Sequence, residues 1–217
     1  RTLEQVQQVA RAIESQGRRA LAVQVDVAVK AEVQRLAQQA ERTFGRVDIL
    51  VNNAGTFSVC PSEDLSEEDW DRVLDTNLKG AFLCSQAIGR LMMAQHFGRI
   101  INISSIAGVT AFPLRAAYCS SKAGLIQLTK VLAVEWGKHN ITVNVVSPGF
   151  VRTELYDRQV AEGVFSDEEL LRRSPVGRVA EIKDVVGAVC YLGSDDAAVV
   201  SGANLYVDGG WLAYGYI

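Results

Sequence analysis

The chain reads as a doubly wound α/β domain, one parallel sheet with helices on both faces. Three observations point there. Short β-branched runs alternate with longer stretches of helical periodicity. The strand candidates are nearly continuous apolar runs, as expected where helices cover both sides of a sheet. Polar and glycine-containing residues cluster where those runs end: Asp26, Asn52-Asn53-Ala54-Gly55, Ser104-Ser105 and Ser147-Pro148-Gly149. Ligands of such folds bind beyond the carboxyl ends of the strands.

In chain order, Leu3, Val6, Ala10 and Ile13 mark a helix that Gly17 ends. Ala20–Val25 reads as a strand. Val33, Leu36, Ala37, Ala40 and Phe44 mark a second helix closed by Gly45, and Val47–Val51 a strand. Ser66 and Asp69 have the spacing of a capping box that opens one long helix to about Met93. Arg99–Ser104 is a strand, 116–138 a helix and Ile141–Val146 a strand. A helix over Glu181–Leu192 and a strand over Ala203–Val207, stopped by Asp208-Gly209-Gly210, complete the pattern. There is no internal repeat or linker, so 1–217 reads as a single domain.

The 217 residues carry 22 basic and 25 acidic side chains, a net charge of −3, with no basic block. That argues against nucleic acid or an anionic membrane as partner. The four cysteines are scattered and only two histidines are present, so no metal site is expected and the thiols read as reduced, in a cytoplasmic protein. No apolar run is long enough to span a membrane, and no signal peptide is evident.

The chemistry centres on Tyr118 and Lys122, four apart on one helix face. A tyrosine is a poor acid–base catalyst at neutral pH, with a reference pKa of about 10. A neighbouring ammonium favours the phenolate and brings the group toward use. The pair alone is a weak sign, since a half-buried tyrosine and a solvated lysine are common on helices. Ser105 ends the preceding strand and could hydrogen-bond the same substrate oxygen, leaving turn chemistry to Ser104. The small residues of Asn53-Ala54-Gly55 allow a cofactor close to the backbone. Asn77 interrupts an apolar helix face, which is costly unless its amide is bonded.

With these residues in place, the sequence resembles the short-chain dehydrogenase/reductase family over essentially its whole length. The likeness rests on Asp26-Val27, Asn52-Asn53-Ala54-Gly55, Asn77, Asn102-Ile103-Ser104-Ser105, Tyr118-Cys119-Ser120-Ser121-Lys122, Pro148-Gly149-Phe150-Val151-Arg152-Thr153 and Asp208-Gly209-Gly210. The resemblance implies a Rossmann-like fold and hydride transfer between NAD or NADP and a carbonyl/secondary alcohol pair. Tyr118 would be the acid/base, Ser105 would orient the substrate oxygen, and Lys122 would bind the nicotinamide ribose and lower the Tyr118 pKa. Asn77 would hold a water of a proton relay. Asp26 and Val27 would meet adenine, and Asn53, Ala54 and Gly55 would lie under the ribose. Pro148, Gly149, Val151 and Thr153 would grip pyrophosphate and carboxamide. A homotetramer, or a dimer, is implied as well.

The family's glycine-rich turn after the first strand has no counterpart here. Placed on the family pattern, the chain opens in a helix, so the first two strands and first helix, roughly forty residues, are expected to precede it. Two absent strands would leave the Ala20 and Val47 strands about 14 Å apart. The residue that separates NAD from NADP would precede Arg1, although Arg1 itself sits where some NADP-preferring relatives carry arginine. Glu154–Ser174 corresponds to the substrate lid, with Leu155, Tyr156, Val164, Phe165 and Leu170 among charged neighbours. Phe112, Pro113, Leu114 and Phe150 would be pocket walls, with Phe112 and Phe150 equally suited to the core. No charge constellation points to a phosphate or carboxylate on the substrate. A sugar or polyol dehydrogenase is favoured over a 3-oxoacyl-thioester reductase, with a truncated pseudoenzyme serving as an assembly subunit as the reading from another class.

Overall fold

The computed structural model describes residues 2–163 and 165–215, without the side chains of Leu155 and Gln159. Expectations placed on Arg1, Val164 and the Leu155 side chain therefore lie outside the described residues. The central sheet has four strands: β1 (Ile49–Asn52), β2 (Gly98–Ile103), β3 (Ile141–Pro148) and β6 (Asn204–Val207), in the order β1-β2-β3-β6. Every pairing is parallel, and the register sets Asn52 opposite Asn102. Among the described residues, eight α-helices and two short strands accompany them: α1 (Leu3–Glu14), α2 (Lys30–Phe44), α3 (Glu67–Leu74), α4 (Gly80–Gln95), α5 (Ala116–Trp136), β4 (Val151–Arg152), α6 (Glu154–Ala161), α7 (Asp167–Leu171), β5 (Ala180–Glu181) and α8 (Ile182–Gly193).

Alternation along β2 builds a core on each side of the sheet. Ile100 joins Val143 of β3 against Ala37, Ile88, Met92 and Leu132 of α2, α4 and α5. Its neighbour Ile101 joins Val146 against Leu192 of α8. The doubly wound fold of the sequence analysis is the fold observed.

Three expectations change. Ala20–Val25 is no strand, because none of its backbone groups joins a sheet ladder among the described residues. It is separated from β1 by an open cleft of about 810 Å³ that Val23, Val25 and Gly55 help to line. The long helix expected from Ser66 is broken in two. Ser66 caps it by accepting from the Asp69 amide, but the Asp69 carboxylate turns to Arg72 at 2.6 Å, so the reciprocal half of the capping box is missing. Between α3 and α4, Asp75–Lys79 winds as a π-helix with Asn77 buried at its centre. Finally, β4 and β5 form a two-residue parallel pair at the base of the lid, too short to leave a periodic signal.

The candidate active site

Ser105 ends the β2 segment in extended conformation (φ −167°, ψ 160°) and caps the short turn Ile106–Gly108 by accepting from the Ala107 amide at 3.1 Å. The turn chemistry expected of Ser104 thus falls to Ser105. Ser104 instead donates to the Lys122 carbonyl at 2.9 Å and ties the strand end to α5. With its acceptor side engaged by that amide, the Ser105 hydroxyl still has its proton to donate, and it favours the ionised form of the Tyr118 phenol. Gly108 permits this packing: a Cβ there would lie 2.8 Å from the Lys122 carbonyl carbon and oxygen.

Lys122 is 5% exposed, and its Nζ donates to the Ile103 carbonyl at 2.8 Å. Burial drives its pKa down to about 8, since an ammonium away from water loses solvation. Nζ also stands 5.6 Å from the centre of the Tyr118 ring. Burial pushes the Tyr118 phenol above its ordinary value, while the nearby Ser105 hydroxyl and the Arg115 charge pull it down. In this arrangement the desolvation of the phenolate outweighs the groups favouring it, and those groups are Ser105 and Arg115.

Asn77, 1% exposed, is fully engaged. Its Oδ1 accepts from the Thr56 amide at 2.8 Å, and its Nδ2 donates to the Thr56 carbonyl and the Ser121 hydroxyl, each at 2.9 Å. The amide thus clamps the loop after Gly55 onto α5 beside Tyr118 and Lys122. Beneath it, Asn52 Nδ2 donates to Asn102 Oδ1 at 2.7 Å and to Ser85 Oγ at 2.9 Å, and Asn102 donates to Thr129 Oγ1 at 2.8 Å. This buried network joins β1, β2, α4 and α5 under the site, and such networks fix a unique arrangement when every member is satisfied.

Asp26, Val27, Asn53, Ala54 and Gly55 all line the open cleft, together with Thr76 from the π-helix. Asp26 shapes its own loop, accepting from the Ala28 amide at 2.9 Å. A Cβ on Gly55 would lie 3.4 Å from Asn77 Oδ1 and 3.7 Å from Lys122 Nζ, so the bare backbone brings the cleft up to the polar cluster. The residues that the resemblance assigns to adenine and ribose thus share the lining of one open cleft. Pro148, Gly149, Val151 and Thr153 follow the end of β3 and do not line that cleft. The Thr153 hydroxyl accepts from the Tyr156 amide and caps α6.

The segment expected to form the lid packs on an aromatic cluster. Phe150 packs against Phe112, Phe165 and Trp211 with ring centres 5.2–6.1 Å apart. Phe112 and Phe150 are therefore partly buried lid core. The Tyr156 hydroxyl donates to Asp167, which also pairs with Arg152 at 3.0 Å.

Several residues of the site were not anticipated. Thr56 and Ser121 hold Asn77, the Ile103 carbonyl holds Lys122, and Phe57 meets the Tyr118 ring edge-on at 6.5 Å. Arg115 stands 5.3 Å over Phe57. Its place three residues before Tyr118, on the same side of α5, is a spacing that could have found it.

A family described as enoyl-(acyl carrier protein) reductase matches residues 1–212. The chain belongs to the short-chain dehydrogenase/reductase family. It is 40% identical over 193 residues to an NAD-dependent glycerol dehydrogenase of Listeria innocua, covering 89% of this chain and 75% of that protein. It is 43% identical over 186 residues to a D-threitol dehydrogenase of Mycolicibacterium smegmatis, covering 86% and 71%. Its backbone matches a gluconate 5-dehydrogenase from Burkholderia cenocepacia, solved in complex with NADP and tartrate, with a TM-score of 0.92 at 34% identity, covering 98% of this chain and 83% of that one. The protein is accordingly an NAD(P)-dependent oxidoreductase of alcohol and carbonyl groups. Among the described residues, no helix is long and apolar enough to cross a membrane.

Proposed function

We propose that this enzyme oxidises a secondary alcohol of a sugar or polyol, or reduces the matching carbonyl, with Ser105, Tyr118, Lys122 and Asn77 as its catalytic group. The observation that carries the reading is the buried Lys122 ammonium 5.6 Å from the centre of the Tyr118 ring and beside Gly55, with the Ser105 hydroxyl favouring the ionised phenol. Asp26, Val27, Asn53, Ala54 and Gly55 would hold the dinucleotide, with Tyr118 and Lys122 at its nicotinamide end and Pro148, Gly149, Val151 and Thr153 closing over it. When bound, NAD or NADP supplies the hydride acceptor or donor.

The chain's own residues manage the oxygen and its proton. Ser105 donates to the substrate oxygen and places it at the phenol. In oxidation Tyr118 removes the hydroxyl proton, and in reduction it returns one. Lys122, cationic at neutral pH, stabilises the negative charge that develops beside it. Asn77 keeps the Gly55–Thr56 loop and α5 in one frame, and a relay water held nearby would complete the proton path. The polyols named for two relatives support a polyol substrate. The same reading makes the enzyme a cytoplasmic homotetramer. Val131 and Val134 on α5, 43% and 84% exposed, form the kind of apolar face a second copy would cover.

The test is a panel of polyols, sugars and 3-oxoacyl thioesters assayed with both dinucleotides on the full-length protein. Polyol turnover that falls at least ~10²-fold in Tyr118→Phe, with dinucleotide binding retained, is the expected outcome. Preference for the thioesters would replace the substrate assignment, and turnover in Tyr118→Phe within threefold of the parent would remove the role given to Tyr118.

A further inference from the structure

Arg115 leads into α5 three residues before Tyr118 and is half-buried. Its guanidinium lies over the face of Phe57, whose ring in turn meets the Tyr118 ring. Stacking through the plane leaves the N–H edges of a guanidinium available. Among the described residues those edges meet no carboxylate, whereas Arg46, Arg72, Arg152 and Arg178 each pair with one at 2.6–3.3 Å. The charge is nevertheless felt at the phenol, which it favours in the ionised form.

The backbone is strained at this point. Leu114, immediately before, has φ 64°, a left-handed conformation that a branched residue adopts only when its surroundings impose it. Its carbonyl accepts from the Cys60 amide at 2.9 Å, which ties the turn before α5 to the loop carrying Phe57. Phe57, Arg115 and Tyr118 are thus parts of one wall, and the Arg115 guanidinium, without a carboxylate partner among the described residues, lies near enough to the phenol for its charge to favour the phenolate. A neutral polyol offers that fork only hydroxyls. A carboxylate matches it with two parallel charge-assisted hydrogen bonds.

Building on the polyol reading above, we propose that Arg115 is a specificity residue that receives a substrate carboxylate, so that the preferred substrate is an acid of the polyol class: an aldonate or its oxo form. The carbinol then lies at Ser105 and Tyr118 while the acid end is anchored on Arg115. No bond-making step is added to the chemistry.

The experiment compares matched pairs differing only at the acid end, D-gluconate against sorbitol and D-threonate against D-threitol. The parent, Arg115→Leu and Arg115→Lys are each checked for dinucleotide binding. The parent should favour the acid of each pair by about 10- to 100-fold in kcat/KM, the scale of a hydrogen-bonded charge pair. Arg115→Leu should bring that ratio near one, chiefly by raising KM for the acid, and Arg115→Lys should keep part of it. Because the ratio is taken within one variant, altered Tyr118 basicity cancels. Should the leucine variant fail to fold, the parent's preference and its partial loss in the lysine variant decide the matter. Equal use of acid and alditol by the parent, or an unchanged ratio in Arg115→Leu, overturns the proposal and leaves the polyol reading standing. No turnover of any of the four overturns both.

Discussion

The ammonium of Lys122 donates to the carbonyl of Ile103 at 2.8 Å, two residues before Ser105, so that the lysine is anchored to the strand that presents the serine. The bond keeps a buried cation in place at a pKa of about 8, against an ordinary 10.5. The sign of the consequence is unusual for a lysine. The unfolded chain binds this proton more tightly than the folded one. The resulting penalty is therefore fully present below pH 8 and is relieved as pH rises to 10.5. Lys122→Met should lack that alkaline gain. Chemical denaturation of both proteins from pH 7 to 10.5 checks it, and parallel pH curves would contradict the burial argument.

Ser105 favours the Tyr118 phenolate, whereas burial opposes it. Removing the hydroxyl in Ser105→Ala should move the apparent pKa for alcohol oxidation upward, because only the opposing effect of burial gains weight. The rate should fall as well, by roughly 10²-fold at neutral pH for the loss of one oriented donor. A pH–rate profile of the variant separates the two effects. A downward shift would mean that the serine does not favour the phenolate.

Much of this site was legible because its members sit in short, dense segments. Four apolar runs marked the central strands, and Ser105, Tyr118 and Lys122 announced themselves by strand end and helical spacing. What escaped depends on partners distant in sequence. Ala20–Val25 has a strand's composition, yet a strand exists only where a neighbour accepts its hydrogen bonds. Asn77 was visible as a polar interruption, but its partners Thr56 and Ser121 are 21 and 44 residues away. The left-handed Leu114 lies outside any propensity rule, and with it the direction taken by Arg115.

Gly108 holds the Ser105 turn against the backbone of α5, where an added Cβ would meet the Lys122 carbonyl group at 2.8 Å. Backbone atoms cannot swing aside as a flexible side chain can, so in Gly108→Ala the serine and the Tyr118–Lys122 pair must separate. Misplacement by about 1 Å is enough to cost ~10² in rate. The expected result is a large fall in kcat with little change in dinucleotide affinity, measured by steady-state kinetics and fluorescence titration. Parent-like kcat would show that α5 can shift without consequence.

The π-helical turn of Asp75–Lys79 has a further meaning when rotation is counted instead of distance. An α-helix turns by about 100° per residue, and a π turn carries one residue more than an α turn. The α3 face bearing Val73 and the α4 face bearing Leu83 and Ile88 are thereby phased independently, although one follows the other along the chain. Asn77 occupies the step between those phases, and its aim at Thr56 and Ser121 depends on the surplus residue. Removing one residue from 75–79 would give a smoother helix whose asparagine points about 100° away from its partners. A substitution chosen only to regularise this helix would thus uncouple the Gly55 loop from α5. The irregularity is a phase setting that keeps the Gly55 loop and α5 in step.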